Sequence, residues 1–211
     1  MALGAWGIGI SHGQGLTLDF ANQPGDYIQF NGTNQTFSFS SATNGYQWTV
    51  TGPSGSSALG LFGSITSSVP FGYGPISTSL GGALEQATVT GPLGTLIIND
   101  GTGNLKGSVN FIDVSTLFKA VGVFNAAVTV NVTGITYSGT NPDLQTIFNN
   151  QPATLDLSFQ FSPGKDLIDL STGGGPFTTS YSGSISVVPE PAAMTLSIAG
   201  GLAMLALRRR K

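Results

Sequence analysis

A chain of 211 residues with no cysteine, a single histidine and only 8% charged side chains excludes several chemistries at the outset. Without cysteine there is no disulfide framework, thiolate metal site or cysteine nucleophile, and His12 alone cannot supply a Ser-His-Asp triad in the body of the chain or a multi-histidine metal centre. Before Val188 three lysines stand against eight aspartates and Glu85, a net charge of −6, which removes the electrostatic basis for binding nucleic acid and leaves solubility to Ser, Thr and Asn.

Residues 1–15 carry an apolar run, Ala2 to Ile10, followed by small residues at Ser11, Gly13 and Gly15. A secretory signal has a basic region before such a core, and no Lys or Arg precedes this one. The segment therefore reads as the latter part of a signal peptide whose start lies upstream, cleaved after about Gly13 or Gly15. The alternative is a loose N-terminal strand.

From Leu16 onward apolar residues recur with period two, the spacing of half-buried antiparallel strands. Leu16, Leu18 and Phe20 alternate with Thr17 and Asp19; Phe37 and Phe39 alternate with Ser38 and Ser40. Tyr46 and Trp48 flank Gln47 on one face of another expected strand. The stretch from Thr51 to Gly82, crowded with Gly, Ser and Pro, reads as a long loop or irregular strand pair, with Phe71 and Tyr73 inside it. Asn99 to Asn104 between apolar runs is a hairpin tip. Val114 to Ala120 reads as a possible turn beneath a loop, and Val128, Val130 and Val132 as a strand. Asn141-Pro142-Asp143 ahead of Leu144, Ile147 and Phe148 predicts a short helix over 142–149. Leu155, Leu157, Phe159 and Phe161 mark a further strand, and Thr178 to Val187 the last, with Tyr181, Ile185 and Val187 on one face.

Many short strands separated by Gly, Asn, Ser and Pro turns predict an all-β fold: an antiparallel β-sandwich, jelly-roll-like, over residues 16–187 with one short helix, followed by a C-terminal hydrophobic helix.

Candidate chemistry in residues 16–187 is sparse. A glycosidase needs two carboxylates at a defined separation, and no pair among the aspartates and Glu85 is marked by spacing. The sequence accordingly assigns no catalytic residue, no cofactor and no metal ligand. Asp100 with Asn99 and Asn104, or Asp166 with Asp169, could offer oxygens to Ca²⁺, but turn chemistry explains both loops. Tyr46 and Trp48, and Phe71 with Tyr73, could stack on sugar rings if exposed; an alternating strand more often buries its aromatic face.

The chain ends on Val188-Pro189-Glu190-Pro191, an uncharged stretch over 192–207, and Arg208-Arg209-Arg210-Lys211. The prolines block helix and central strand alike, so the folded domain stops near Val188. Sixteen residues rise about 24 Å as a helix, a short membrane span, and four terminal cations favour a cytoplasmic end. This order of parts resembles the PEP-CTERM sorting signal, with Val188, Pro189, Glu190 and Pro191 as sorting motif and Arg208, Arg209, Arg210 and Lys211 as basic membrane stop. The resemblance covers residues 188–211 only. It implies export, an inner-membrane-anchored intermediate held by 192–207, and processing by an exosortase-type membrane protease. Delivery to the cell surface or extracellular space, in association with exopolysaccharide, would follow. The alternative for the tail is a plain anchor that is never cleaved. For the domain, the resemblance and composition together point to a non-catalytic surface or matrix protein, with a lectin-like carbohydrate-binding module, calcium-dependent or not, as the other reading.

Overall fold

The computed structural model describes residues 15–40, 45–120 and 123–187. The signal-like segment through residue 14, with His12, and the sorting motif, membrane stretch and basic end from 188 onward lie outside the described residues. The first strands are β1 (Thr17–Asn22), β2 (Tyr27–Asn31), β3 (Thr36–Ser40), β4 (Trp48–Gly52), β5 (Phe62–Thr66), β6 (Phe71–Tyr73) and β7 (Ser77–Ser79). There follow β8 (Leu84–Thr90), β9 (Gly94–Asn99), β10 (Asn104–Ala120), β11 (Val123–Tyr137), helix α1 (Pro142–Asn149) and β12 (Ala153–Phe159). Helix α2 (Leu167–Thr172), β13 (Pro176–Thr179) and β14 (Tyr181–Val187) complete the order.

The architecture is all-β and antiparallel, but it is a barrel and not the expected sandwich. Strands run β11-β12-β14-β1-β4-β5-β9-β10, and β10 pairs back onto β11, closing eight strands. Period-two alternation is the same for a sandwich and for a barrel wall, since both have one apolar and one polar face; closure depends on which strands meet, and that is set by β10. Seventeen residues long, it pairs with β9 through Asn104–Val109 and with β8 through Asp113–Leu117, while β11 follows its other edge. Between those halves the register slips at Phe111/Asp113, a bulge that leaves Ile112 outside at 43% exposure and bends the strand. Beyond the bend, β8 continues into a second sheet, β8-β6-β3-β2-β13, with β7 also paired to β8.

Three local expectations change accordingly. Of the two readings of 51–82, long loop or irregular strand pair, the strand reading is the nearer, for the stretch holds β5, β6 and β7; Val114 to Ala120 is the far half of β10 rather than a turn. The last expected strand divides at Ser180 into β13, which pairs with β2, and β14, which pairs with β1 and β12. The hairpin at Asn99–Asn104 and the helix at 142–149 stand as expected. Helix α2 has no apolar period long enough to announce it, and its N-cap is Asp166, whose side chain accepts from Asp169 N.

The barrel interior is filled by large side chains. Leu18, Trp48, Leu96, Ile98, Leu105, Val109, Val130, Val132, Leu155 and Ile185 are fully buried, each contributing about 1.5–3 kcal/mol. Phe20 and Trp48 lie 4.4 Å apart, centroid to centroid. Trp48 fits because position 63 has no side chain: a Cβ on Gly63 would sit 2.1 Å from the indole Cη2. A second cluster joins the two sheets. Phe37 and Phe71 of the second sheet pack at 5.4 and 4.5 Å against Phe111 of β10, and Phe30 of β2 packs at 4.9 Å against Phe159 of β12.

Candidate functional site

The acids of the sequence fall into two groups. Most are committed to the fold. Asp100, at the β9–β10 tip, accepts hydrogen bonds at Oδ1 from Thr102 N, Thr102 Oγ1 and Gly103 N, at 2.8, 2.8 and 2.6 Å. Its Oδ2 accepts from Thr140 N and Asn141 N, each at 3.1 Å, and from the Tyr137 hydroxyl. Burial raises the Asp100 pKa, but the bonds from Tyr137, Thr102 and Gly103 outweigh it and hold the carboxyl well below the usual range. Burial and the same bond push the Tyr137 phenol up to about 12. Asp143, in the first turn of α1, accepts from Ser56 Oγ at 2.7 Å and Ala58 N at 3.2 Å; burial raises its pKa and these donors, with Ser57, bring it below the ordinary value.

Glu85 is buried at 6% exposure. It takes Ile168 N at 3.0 Å and the Thr116 hydroxyl at 3.4 Å, so it serves the N-terminus of α2. The oxygens once considered for Ca²⁺ are likewise engaged within the chain: Asn104 Oδ1 accepts from Asn99 Nδ2 at 2.8 Å, and Asp166 Oδ1 from Asp169 N at 2.7 Å. Among the described residues no group of three or more His, Asp or Glu could hold a metal ion.

Asp19 and Asp156 are different. Both are exposed and belong to the outer wall of the barrel. Strand pairing sets Asp19 of β1 opposite Ser184 of β14, and Ser184 opposite Asp156 of β12. Two strand spacings separate the carboxylate-bearing positions, about 10 Å. Flanking rows repeat the pattern with hydroxyls: Thr17 bonds Ser186 at 2.9 Å, and Ser182 bonds Ser158 at 3.2 Å. Outward positions of the three neighbouring strands thus form a grid of hydroxyls with two charges, broken on β1 by Ala21.

Over this grid lies a groove. One part, about 530 Å³, is lined by Asp19, Ala21, Thr51, Asp156, Ser158, Ser182 and Ser184, with Gly183 in its floor. A second, about 420 Å³, shares Ala21, Ser158 and Ser182 and continues to Asn22, Gln160 and Ser180. β14 is the floor, β1 one wall, and β12 with the residue after it the other. Asn22 fixes the far end, accepting from Tyr181 N at 3.1 Å and donating to Asp26 O at 2.7 Å. Among the described residues the only charged side chains lining the groove are the two aspartates.

The aromatic candidates separate in an unexpected way. Trp48, Phe71 and Tyr73 are core residues, at 0, 2 and 3% exposure, and burial pushes the Tyr73 phenol up to about 12. Tyr46 instead stacks on Phe62 of β5, centroids 5.9 Å apart, and Phe62 is 44% exposed. Nothing in the local sequence pairs them, since Phe62 lies in the stretch that reads as a long loop or irregular strand pair. The Asp19–Ser184–Asp156 row was equally hidden, since strand order alone joins Asp19 to polar positions 137 and 165 residues away. Val188, Pro189, Glu190 and Pro191, and the basic residues Arg208 to Lys211, lie outside the described residues.

No protein-family model, no curated protein and no solved structure matches this chain.

Proposed function

We propose that this chain is an exported, non-catalytic cell-surface or extracellular-matrix protein associated with exopolysaccharide, and that it is sorted through Val188–Pro191 by an exosortase-type protease. The observation that carries the reading is the outer wall of the barrel: the rows Thr17–Ser186–Thr154 and Ala21–Ser182–Ser158 across β1, β14 and β12 on either side of Asp19–Ser184–Asp156, a groove among them, and little charge. Such a surface offers hydrogen bonds to a hydrated polyhydroxyl layer without attracting unrelated macromolecules. The acids support a non-catalytic role, since Glu85, Asp100, Asp143 and Asp166 accept from backbone amides, and Asp19 and Asp156 stand in the open rather than in an enclosed, apolar site of the kind that tunes a general acid.

Intact mass of the protein from its native host, with membrane, surface and medium fractions analysed separately, tests the sorting step. The expected surface or medium species ends near Pro191. A membrane species retaining Leu207 and Arg208, with nothing shorter elsewhere, would leave a simple anchored barrel and remove the exosortase.

A dedicated glycan-binding module is the second reading, favoured by the exposed Phe62 stacked on the half-buried Tyr46, a surface on which a sugar ring can lie. The engaged oxygens of Asp100 and Asp166 give no support to calcium dependence.

A further inference from the structure

The groove over β14 has a shape, a chemistry and a sign of charge, and together they select a ligand. It follows Ser180 to Ser184, about 14 Å of extended backbone, so it suits an extended chain rather than a compact small molecule. Hydroxyls of Ser158, Ser182 and Ser184 line it, and Asp19 and Asp156 stand on either side of Ser184. Among the described residues no lysine lines it, and the chain before Val188 carries −6.

We propose that this groove binds a glycan carrying free, protonated amines: a polymer of unacetylated amino sugars, its amines facing Asp19 and Asp156 and its hydroxyls facing the serines. The proposal rests on the exopolysaccharide reading above and gives it a site and a ligand class. Charge complementarity decides among occupants. An anionic polysaccharide meets two carboxylates and a negative domain, which disfavours approach. A neutral glycan leaves both carboxylates without a use. A protein partner would want a buried aromatic or arginine anchor, whereas Phe20, Leu157 and Phe159 at the groove are 2, 2 and 3% exposed and already packed in the core. Exposed ion pairs are individually weak; a polymer compensates by presenting the same amine repeatedly, so binding is a matter of avidity.

The test uses the full chain in mild detergent, co-sedimented with chitosan, with chitin as the acetylated counterpart, and with exopolysaccharide from the native host. Chitosan should retain the protein and chitin should not, and retention should fall steeply between about 20 and 500 mM salt. Asp19→Asn and Asp156→Asn should each weaken retention about two- to fivefold, and Ser182→Trp, a substitution at an exposed position that fills the groove, should abolish it. Asp113→Asn removes the same charge from β10, outside the groove, and should leave retention as it was. Failure to bind chitosan overturns the proposal, and so does an equal loss from Asp113→Asn, which would mean attraction by net charge alone. If the host polymer is bound and chitosan is not, the amine proposal falls while the exopolysaccharide reading stands; if neither is bound, both fall.

Discussion

Asp100 shows how a single carboxylate can organise a surface. Its two oxygens collect the amides and hydroxyls of its own hairpin tip and those of residues 137–141, which lead into α1. Replacing it with Asn keeps the shape but removes the charge and turns one acceptor into a donor facing donors. Asp100→Asn should therefore lower stability by about 1 kcal/mol near neutral pH, the low end for bonds to a charged group because the site is partly solvated. The pH dependence has a definite sign. A carboxyl whose pKa is lower in the folded than in the unfolded chain stabilises fully above the ordinary aspartate value, about 3.9, and loses that contribution as pH falls below it toward the folded value. Urea midpoints of wild type and Asp100→Asn should differ at pH 6 and converge as the pH is taken down through about 4; a gap that stays constant would mean the carboxylate's charge contributes nothing.

Among the elements, the two helices are held by opposite arrangements. α1 is capped from its own sequence: Asn141 Oδ1 accepts from Asp143 N and Leu144 N at 3.1 and 3.2 Å, and Nδ2 donates to Ser57 O at 2.8 Å. Asn141→Ala should cost about 1–2 kcal/mol, read from the urea midpoint. α2 has a local cap in Asp166, yet its next amides are met from elsewhere: Leu167 N by Thr116 Oγ1 at 3.3 Å and Ile168 N by Glu85. Thr116 is 1% exposed, so Thr116→Val keeps the volume and strands a buried amide, at a cost of about 1–3 kcal/mol; an unchanged midpoint would show that the amide finds another acceptor. This contrast explains what could be read in advance. The α1 cap, proline, acid and i, i+3, i+4 apolar triplet are contiguous, and so are the residues of each alternating strand. The support for α2 comes from β8 and β10, 83 and 51 residues upstream, and contiguous sequence carries no trace of it. The groove was illegible for the same reason, since Asp19, Ser184 and Asp156 are ordinary polar positions until three strands are set side by side.

For the whole molecule, closure depends on β10 belonging to both sheets. The bulge at Ile112 breaks the alternation along β10, so that Val114 to Ala120 reads in sequence as a turn rather than as the second half of a strand. Because one strand carries the β9 ladder and the β8 ladder, and because Phe111 seats Phe37 and Phe71, the barrel and the second sheet should unfold as one. With Trp6→Phe making Trp48 the sole tryptophan, its fluorescence reports the barrel interior while far-UV circular dichroism reports all strands. The two denaturation curves should coincide; an earlier loss of ellipticity would show the second sheet melting alone.

β14 is hydrogen-bonded along both edges, to β1 and to β12, and Val187 N bonds Leu16 O at 3.0 Å. Tension entering the domain at residue 188 is therefore shared by two ladders from its first bond, where a strand at a sheet edge would unzip a single ladder one bond at a time. The strand that reaches residue 188 is thus a wall strand with a ladder on each side rather than an edge strand, and a domain pulled from that end by moving fluid would keep its shape to higher force than one tethered through β13.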